Sequence, residues 1–205
     1  MIIIMGMETT IIVQAGGESK RMGQDKALLP FLGKPLIERV ISRIAPLAGE
    51  LIVISNDPQK FAYLGLPVLP DLVPGRGALG GLFTALSAAN KSLVILVACD
   101  MPFANPGLLA FGRDLLIKEG FDAVVPRTDH GTEPFHAIYR RETCLPLVQK
   151  AVQAGFWRVD SWFGEARMRY LIGEELAVYD PAGMVFMNVN TPEELADAQE
   201  LAEKE

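Results

Sequence analysis

Between the apolar stretch ending at Val13 and the first amphipathic segment, the chain reads Gln14-Ala15-Gly16-Gly17-Glu18-Ser19-Lys20-Arg21-Met22-Gly23-Gln24-Asp25-Lys26. Paired glycines delivered by a strand let the backbone come close to a polyanion and turn its N–H groups toward it. Arg21 and Lys26 add cations for the same polyanion. Taken singly, each would equally be a solvated loop cation. The spacing gives neither G-x-G-x-x-G nor G-x-x-x-x-G-K-[ST], because Gly23 is followed by Gln24 and Asp25. That speaks against a nicotinamide dehydrogenase and against a P-loop ATPase.

A second chemical feature lies at Cys99-Asp100-Met101-Pro102, directly after the continuous apolar run Leu93–Ala98. A carboxylate just past the carboxyl end of a central strand stands where open α/β sheets bind ligands. Asp100 there suits a hard cation such as Mg²⁺, which takes one or two carboxylates together with phosphate oxygens. Its other reading is a cap for the helix that follows. Cys99 reads as packing, since phosphoryl transfer needs no thiol. Asn56, after the second strand, is a candidate on the nucleotide side. His130 and His136 have no metal-ligating company, so a zinc role is not expected. Phe156, Trp157, Trp162 and Phe163 read as the core face of a short helix or as the wall of a ligand pocket.

The elements that must position these groups alternate between β-branched apolar runs and amphipathic segments. This is the pattern of a mostly parallel sheet with helices on both faces. Strands are predicted at 10–14, 51–55, 67–69, 93–98 and 123–125, with a half-buried, antiparallel-compatible strand at 133–139. Weaker strands are predicted near Arg169 and Val185. Helices are predicted at 36–47, 80–89, 106–118 and 142–154, with a short aromatic-rich helix over 156–163. Leu36, Val40, Ile41, Ile44 and Leu47 share one face of the first. Thr191-Pro192-Glu193-Glu194 opens the last helix as a capping box with proline at the first helical position. The fold class expected is a single-domain α/β, Rossmann-like three-layer sandwich.

A chain of 205 residues supports one well-buried domain and is short for two. The net charge of −6 argues against a general nucleic-acid binder, because nothing neutralises a phosphate backbone in bulk. A small phosphorylated ligand needs only a local cluster of cations. Two separated cysteines without a CxxC pairing point to a reducing compartment. Met1 to Gly6 lacks the features of a signal peptide and reads as a ragged start or an early start codon. No stretch approaches the ~18 to 20 apolar residues of a membrane span. A soluble, cytoplasmic protein is expected.

The whole glycine-rich loop resembles that of the molybdenum cofactor guanylyltransferases, [LI]-A-G-G-x-S-x-R-M-G-x-D-K-x-L-L. Ala15, Gly16, Gly17, Ser19, Arg21, Met22, Gly23, Asp25, Lys26, Leu28 and Leu29 stand at the matching places. Gln14 departs from the usual aliphatic residue, at a position where only the backbone is expected to touch nucleotide. Further blocks agree in order: Gly33-Lys34-Pro35-Leu36, then Asp71 with the run from Pro74 to Gly81, then Cys99 to Pro102, then Asn188 to Leu195. Ala78 replaces a usual proline.

The resemblance implies the nucleotide-diphospho-sugar transferase fold, with a nucleotide-binding half at about 8–105 and a pterin or acceptor half at about 106–205. It implies transfer of GMP from GTP to the phosphate of molybdopterin, with Mg²⁺ as cofactor and pyrophosphate as product. Gln14, Ala15, Gly16, Gly17, Lys26, Asn56, Asp71 and Asp100 would bind nucleotide. Lys26, Arg21 and Asp100 would carry catalysis, with Asp100 as the metal ligand. Asp71 would accept the paired N–H donors of guanine, or else is a turn residue. Asn188 or Asn190 would reach phosphates or metal, although Asn190 also reads as preparing the helix cap. Arg158 would meet the molybdopterin phosphate. Contacts with proteins that make, load or accept the cofactor are implied, and no nucleic-acid or membrane partner is. A CTP-dependent cytidylyltransferase and a sugar-phosphate nucleotidyltransferase are the enzyme alternatives, and a non-catalytic GTP-binding adaptor is the alternative of another class.

Overall fold

The computed structural model describes residues 8–16 and 25–205. The elements run β1 (Thr9–Gln14), β2 (Pro30–Phe31), β3 (Lys34–Pro35), α1 (Leu36–Ile44), β4 (Glu50–Ile54), β5 (Val68–Leu69), α2 (Gly77–Ala88), β6 (Leu93–Ala98) and α3 (Pro106–Glu119). They continue with β7 (Ala123–Thr128), β8 (Gly131–Thr132), β9 (His136–Arg140), α4 (Arg141–Gln153), β10 (Met168–Leu171), α5 (Glu174–Ala177) and α6 (Pro192–Ala202).

The main sheet has the order β10-β7-β9-β6-β1-β4-β5, with β8 paired to β7. β1 lies parallel to both β4 and β6, and its register sets Gln14 opposite Ile54 on one side and Ala98 on the other. Three carboxyl ends therefore finish level, which creates a single edge for a ligand. β9 is antiparallel to β6 and β7 and lies between them. The sandwich is three-layered. Ile37, Val40 and Ile44 of α1 and Leu108, Leu109 and Leu116 of α3 pack on one face with Ile11, Val13 and Ile95. Leu79, Leu82 and Leu86 of α2 and Cys144 and Val148 of α4 pack on the other with Ile12, Ile54 and Leu96. Alternation along each strand divides the apolar residues between the two cores. Among the described residues, no helix is long and apolar enough to cross a membrane.

Several predicted elements are placed differently. α1 stops at Ile44, and Leu47 falls in a 3₁₀ turn, Ala45–Leu47, because Pro46 has no N–H to continue the α ladder. α2 starts three residues early, at Gly77. β9 is buried on both faces rather than one, since it has a strand on each side and a helical layer above and below. The aromatic-rich helix over 156–163 does not form. α4 ends in a Schellman arrangement in which Gly155 N–H donates to Val152 O and Phe156 N–H to Ala151 O, and Gly155 takes φ +81°. Beyond it only a 3₁₀ turn, Phe163–Glu165, is regular; Trp162 and Phe163 enter the core while Phe156 and Trp157 remain exposed. No strand forms at Val185. Its N–H and that of Met184 donate to the Asp180 carboxylate instead of to a neighbouring strand.

The predicted capping box is present: Thr191 Oγ1 accepts from Glu194 N–H at 3.1 Å, and Glu194 Oε2 accepts from Thr191 N–H at 3.0 Å. Replacing Thr191 with Ala is expected to lower the unfolding free energy by about 1 kcal/mol, the usual worth of such a cap, as read from urea denaturation.

Candidate functional site

A cleft of about 830 Å³ opens at the level carboxyl edge of β1, β4 and β6. Four separate segments wall it: Gln14-Ala15-Gly16 after β1, Ser55-Asn56-Asp57 after β4, the loop carrying Asp71, Pro74 and Gly75, and Ala98-Cys99-Asp100 after β6. Asp25 and Lys26, Phe135, and Gly77, Ala78 and Gly81 of α2 complete the wall.

Lys26 is the first residue of a 3₁₀ turn, Lys26–Leu28, capped by Asp25, whose Oδ1 accepts from Ala27 N–H at 3.2 Å. From that turn its Nζ reaches Asp100 Oδ2 at 3.5 Å and donates to Asn190 Oδ1 at 2.5 Å. Asn190 comes from the far end of the chain. It is held there by two main-chain bonds: Val189 N–H donates to Asp100 O at 2.9 Å, and Asn190 N–H donates to Glu194 Oε2 at 2.5 Å. The capping box of α6 thus also fixes the segment that meets Lys26.

Burial raises the pKa of the Asp100 carboxyl above the ordinary carboxylate value, and the attraction of Lys26 only partly offsets that. Among the described residues one ammonium, shared with an amide, faces this anion, and it does not fully offset the burial. Asp100 does not cap the next helix; Asn105 does, accepting from Leu108 N–H at 3.0 Å. Burial pushes the Cys99 thiol well above its ordinary value, which makes it a packing group.

The chain as a whole has known relatives. A comparison with known families matches residues 11–166 to the MobA-like NTP transferase domain. The chain is 34% identical over 197 residues to a probable molybdenum cofactor guanylyltransferase of Pelotomaculum thermopropionicum, covering 96% of this chain and 95% of that one. The chain belongs to the MobA-like NTP transferase family. The molybdenum cofactor guanylyltransferase of Desulfosudis oleivorans is 30% identical over 193 residues, covering 93% of this chain and 94% of that one. Among solved structures, molybdopterin-guanine dinucleotide biosynthesis protein A from Archaeoglobus fulgidus superposes with a TM-score of 0.82 at 27% identity, covering 96% of this chain and all of that one.

Within this MobA-like site, Gln14, Ala15, Gly16, Lys26, Asn56, Asp71 and Asp100 all line the cleft. Gly17 and Arg21 lie outside the described residues. Asn190 reaches the cleft wall through Lys26, whereas Asn188 donates to Phe186 O in its own loop. Arg158 is not in the cleft wall: it is 83% exposed and pairs with Asp160 at 2.6 Å. Asp71 is tied into its loop. Its Oδ1 accepts from Val73 N–H at 3.2 Å and from Thr84 Oγ1–H at 2.5 Å, and Asn56 Oδ1 accepts from Asp71 N–H at 2.9 Å. Asp71 therefore has one oxygen committed to the loop, and Asn56 acts as its brace.

Thr84 was not among the expected residues, nor was Asp25. Asp25 carried a readable signal, an aspartate just ahead of a short helical turn. Thr84 carried none, because a threonine on an apolar helix usually bonds back to its own carbonyls, and Gly80 O does lie 3.0 Å away. Among the described residues there is no group of three or more His, Cys, Asp or Glu side chains that could hold a metal by itself. A divalent ion at Asp100 would need phosphate oxygens to complete its shell.

His136 is fully buried at the start of β9, where its Nε2 accepts from Asn105 N–H at 3.0 Å and its ring meets Phe186 edge-on. It is a core group that orients the start of α3, not part of the cleft wall. Burial pushes its pKa down from 6.5 to about 4. The folded state thus holds the neutral ring while the unfolded chain takes a proton first. The resulting stability is complete above pH 6.5 and is lost as pH falls toward 4. Over that window the wild type is expected to lose up to about 3 kcal/mol of unfolding free energy from this group, and His136→Gln to lack the loss.

For Asp100 the sign is reversed. A raised folded pKa means that the ionised carboxylate costs stability, an effect absent below its unfolded value of 3.8 and present once pH exceeds the folded value. At neutral pH, Asp100→Asn is expected to melt no lower than the wild type while losing at least about a hundredfold in turnover. Calorimetric melting and steady-state kinetics on the same preparation check both parts.

Proposed function

We infer that this protein transfers a guanylyl group from GTP to the phosphate of molybdopterin, forming molybdopterin guanine dinucleotide and releasing pyrophosphate. One observation carries the reading: Lys26 and Asp100, brought from positions 74 residues apart, meet at the floor of the cleft. They do so in a chain whose relatives bear the name molybdenum cofactor guanylyltransferase along nearly its full length.

In the proposed reaction, a phosphate oxygen of molybdopterin attacks the α-phosphorus of GTP in line. A new P–O bond forms as the bond from the α-phosphorus to the bridging oxygen breaks, and that electron pair leaves with pyrophosphate. The attacking oxygen is already anionic at neutral pH, so no general base is required. Catalysis then rests on holding the two phosphates together and on neutralising charge. Lys26 supplies a fixed positive group, and Asn190 and Asp100 keep its ammonium in place. The backbone N–H of Gly16, just beyond β1, is proposed to cradle the triphosphate together with Gly17 and Arg21, since the Ala15 N–H donates to Ile54 O at 2.9 Å. Asp100 is proposed to hold Mg²⁺, a role that its buried and under-compensated charge suits. When bound, that ion would screen the triphosphate and polarise its oxygens.

The residues up to about 105 are proposed as the nucleotide half. The acceptor would approach from the half beyond, where Phe135 enters the cleft wall and Asn190 meets Lys26. Molybdopterin would come from, and its dinucleotide pass to, other proteins of cofactor synthesis and use.

Incubation with molybdopterin, Mg²⁺ and either GTP or CTP is expected to release pyrophosphate with GTP alone. Lys26→Ala should reduce that release about a hundredfold or more. Release with CTP and none with GTP would overturn the base assignment; no release with any nucleoside triphosphate would overturn the enzyme.

A further inference from the structure

Gln14 ends β1, and strand alternation puts its side chain on the same face as Ile12, the face covered by α2. Lys26 belongs to the opposite face, since its neighbour Ala27 is buried with Ile37 and Val40 of α1. The cleft thus has the Lys26–Asp100 pair on the side of α1, and on the side of α2 the Gln14 carboxamide together with Asp71, which Thr84 of α2 holds.

On that second side the Gln14 carboxamide lies between two backbones that carry no side chain. A Cβ on Gly16 would stand 3.0 Å from Nε2, and one on Gly81 would stand 3.3 Å from Cδ and 3.4 Å from Nε2. The residue is 8% exposed and lines the cleft. Its Oε1 is buried and has no hydrogen-bond partner among the described residues. Buried amide oxygens are nearly always satisfied, and one left over at a ligand cleft marks a place where a ligand supplies the donor. Nearby polar groups are already engaged: Asn56 Oδ1 by Asp71 N–H, and Asp71 Oδ1 by Val73 and Thr84.

A phosphate cannot satisfy Oε1, because at neutral pH it chiefly accepts. The missing partner must donate, and the neighbouring Nε2 offers protons to an adjacent acceptor. The edge of a nucleobase has this pattern; in guanine N1–H lies beside O6. We propose that the Gln14 side chain reads the base of the bound nucleotide, with the carboxamide forming a donor–acceptor pair with its edge while the backbone beyond β1, from Gly16 on, serves the phosphates. The proposal rests on the guanylyl-transfer reading only for which base is bound.

Calorimetric titration of the intact protein with GTP and with ribose 5-triphosphate, which lacks the base, tests it. Gln14→Met keeps the length of the side chain and Gln14→Leu its burial, and neither keeps a polar group. Both are expected to weaken GTP binding about tenfold, the worth of a neutral hydrogen-bonded pair, and to leave ribose 5-triphosphate within about twofold of the wild type. Unchanged GTP affinity in Gln14→Met overturns the proposal, as does an equal loss for both ligands, which would mark a merely structural role. If Gln14→Leu fails to fold, Gln14→Met decides alone. Wild-type protein that binds CTP and not GTP overturns the guanylyl reading separately; the same two variants titrated with CTP then decide the Gln14 contact.

Discussion

The contact between Lys26 and Asp100 joins two segments 74 residues apart in sequence. Lys26 stands on a turn that follows the glycine-rich loop, and Asp100 stands just past β6, a strand buried at all but its last residue. Asn190 closes the group from the approach to the last helix. A carboxylate in this position loses solvation, and the lysine restores only part of what is lost, so the site is held in a state that a further positive charge would relieve. Placing an under-compensated anion at the floor of a cleft costs folding free energy. The two cores on either side of the sheet, both densely aliphatic, are where that cost is offset.

The rest of the architecture follows from the need to hold that point. Level strand ends provide the edge, and the parallel pairing of β1 with β4 and β6 brings three loops to it. The antiparallel β9 extends the sheet past β6 and brings Phe135 to the same edge, since Phe135 O accepts from Ala98 N–H. The capping box of α6 and the Val189–Asp100 main-chain bond then fix the last contributor. Function at this edge comes from loops with little regular structure, which strands with little freedom hold in place.

Much of this was legible in the sequence. The apolar run Leu93–Ala98 and the aspartate after it announced a central strand with a carboxylate at its end. The loop motif pointed to Lys26, and the box at Thr191 was read residue for residue. Where reading failed, the deciding physics was not local. The burial of β9 on both faces depends on which strands flank it, which its own alternation does not encode. The helix expected over 156–163 has suitable aromatic residues, but Gly155 turns the chain in the left-handed region just before it, and tertiary packing claims only Trp162 and Phe163. A weak strand was expected near the β-branched Val185, yet a single aspartate takes its N–H. Arg158 matched a motif but finds Asp160 two residues away, a short-range pairing that a motif does not display. Thr84 braces Asp71 through a contact spanning 13 residues, which no spacing rule marks.

The bond from Lys26 to Asn190 spans 164 residues of sequence. Closing a loop of that length is entropically late, so the ammonium finds its amide only after both cores have condensed and α6 has docked. A nascent chain still emerging from the ribosome carries the glycine-rich loop and the central strand long before it carries this restraint. The amide restraint on the lysine is therefore a property of the finished polypeptide, and a fragment ending before Val189 would retain most of the sheet and Asp100 yet lack the Asn190 contact.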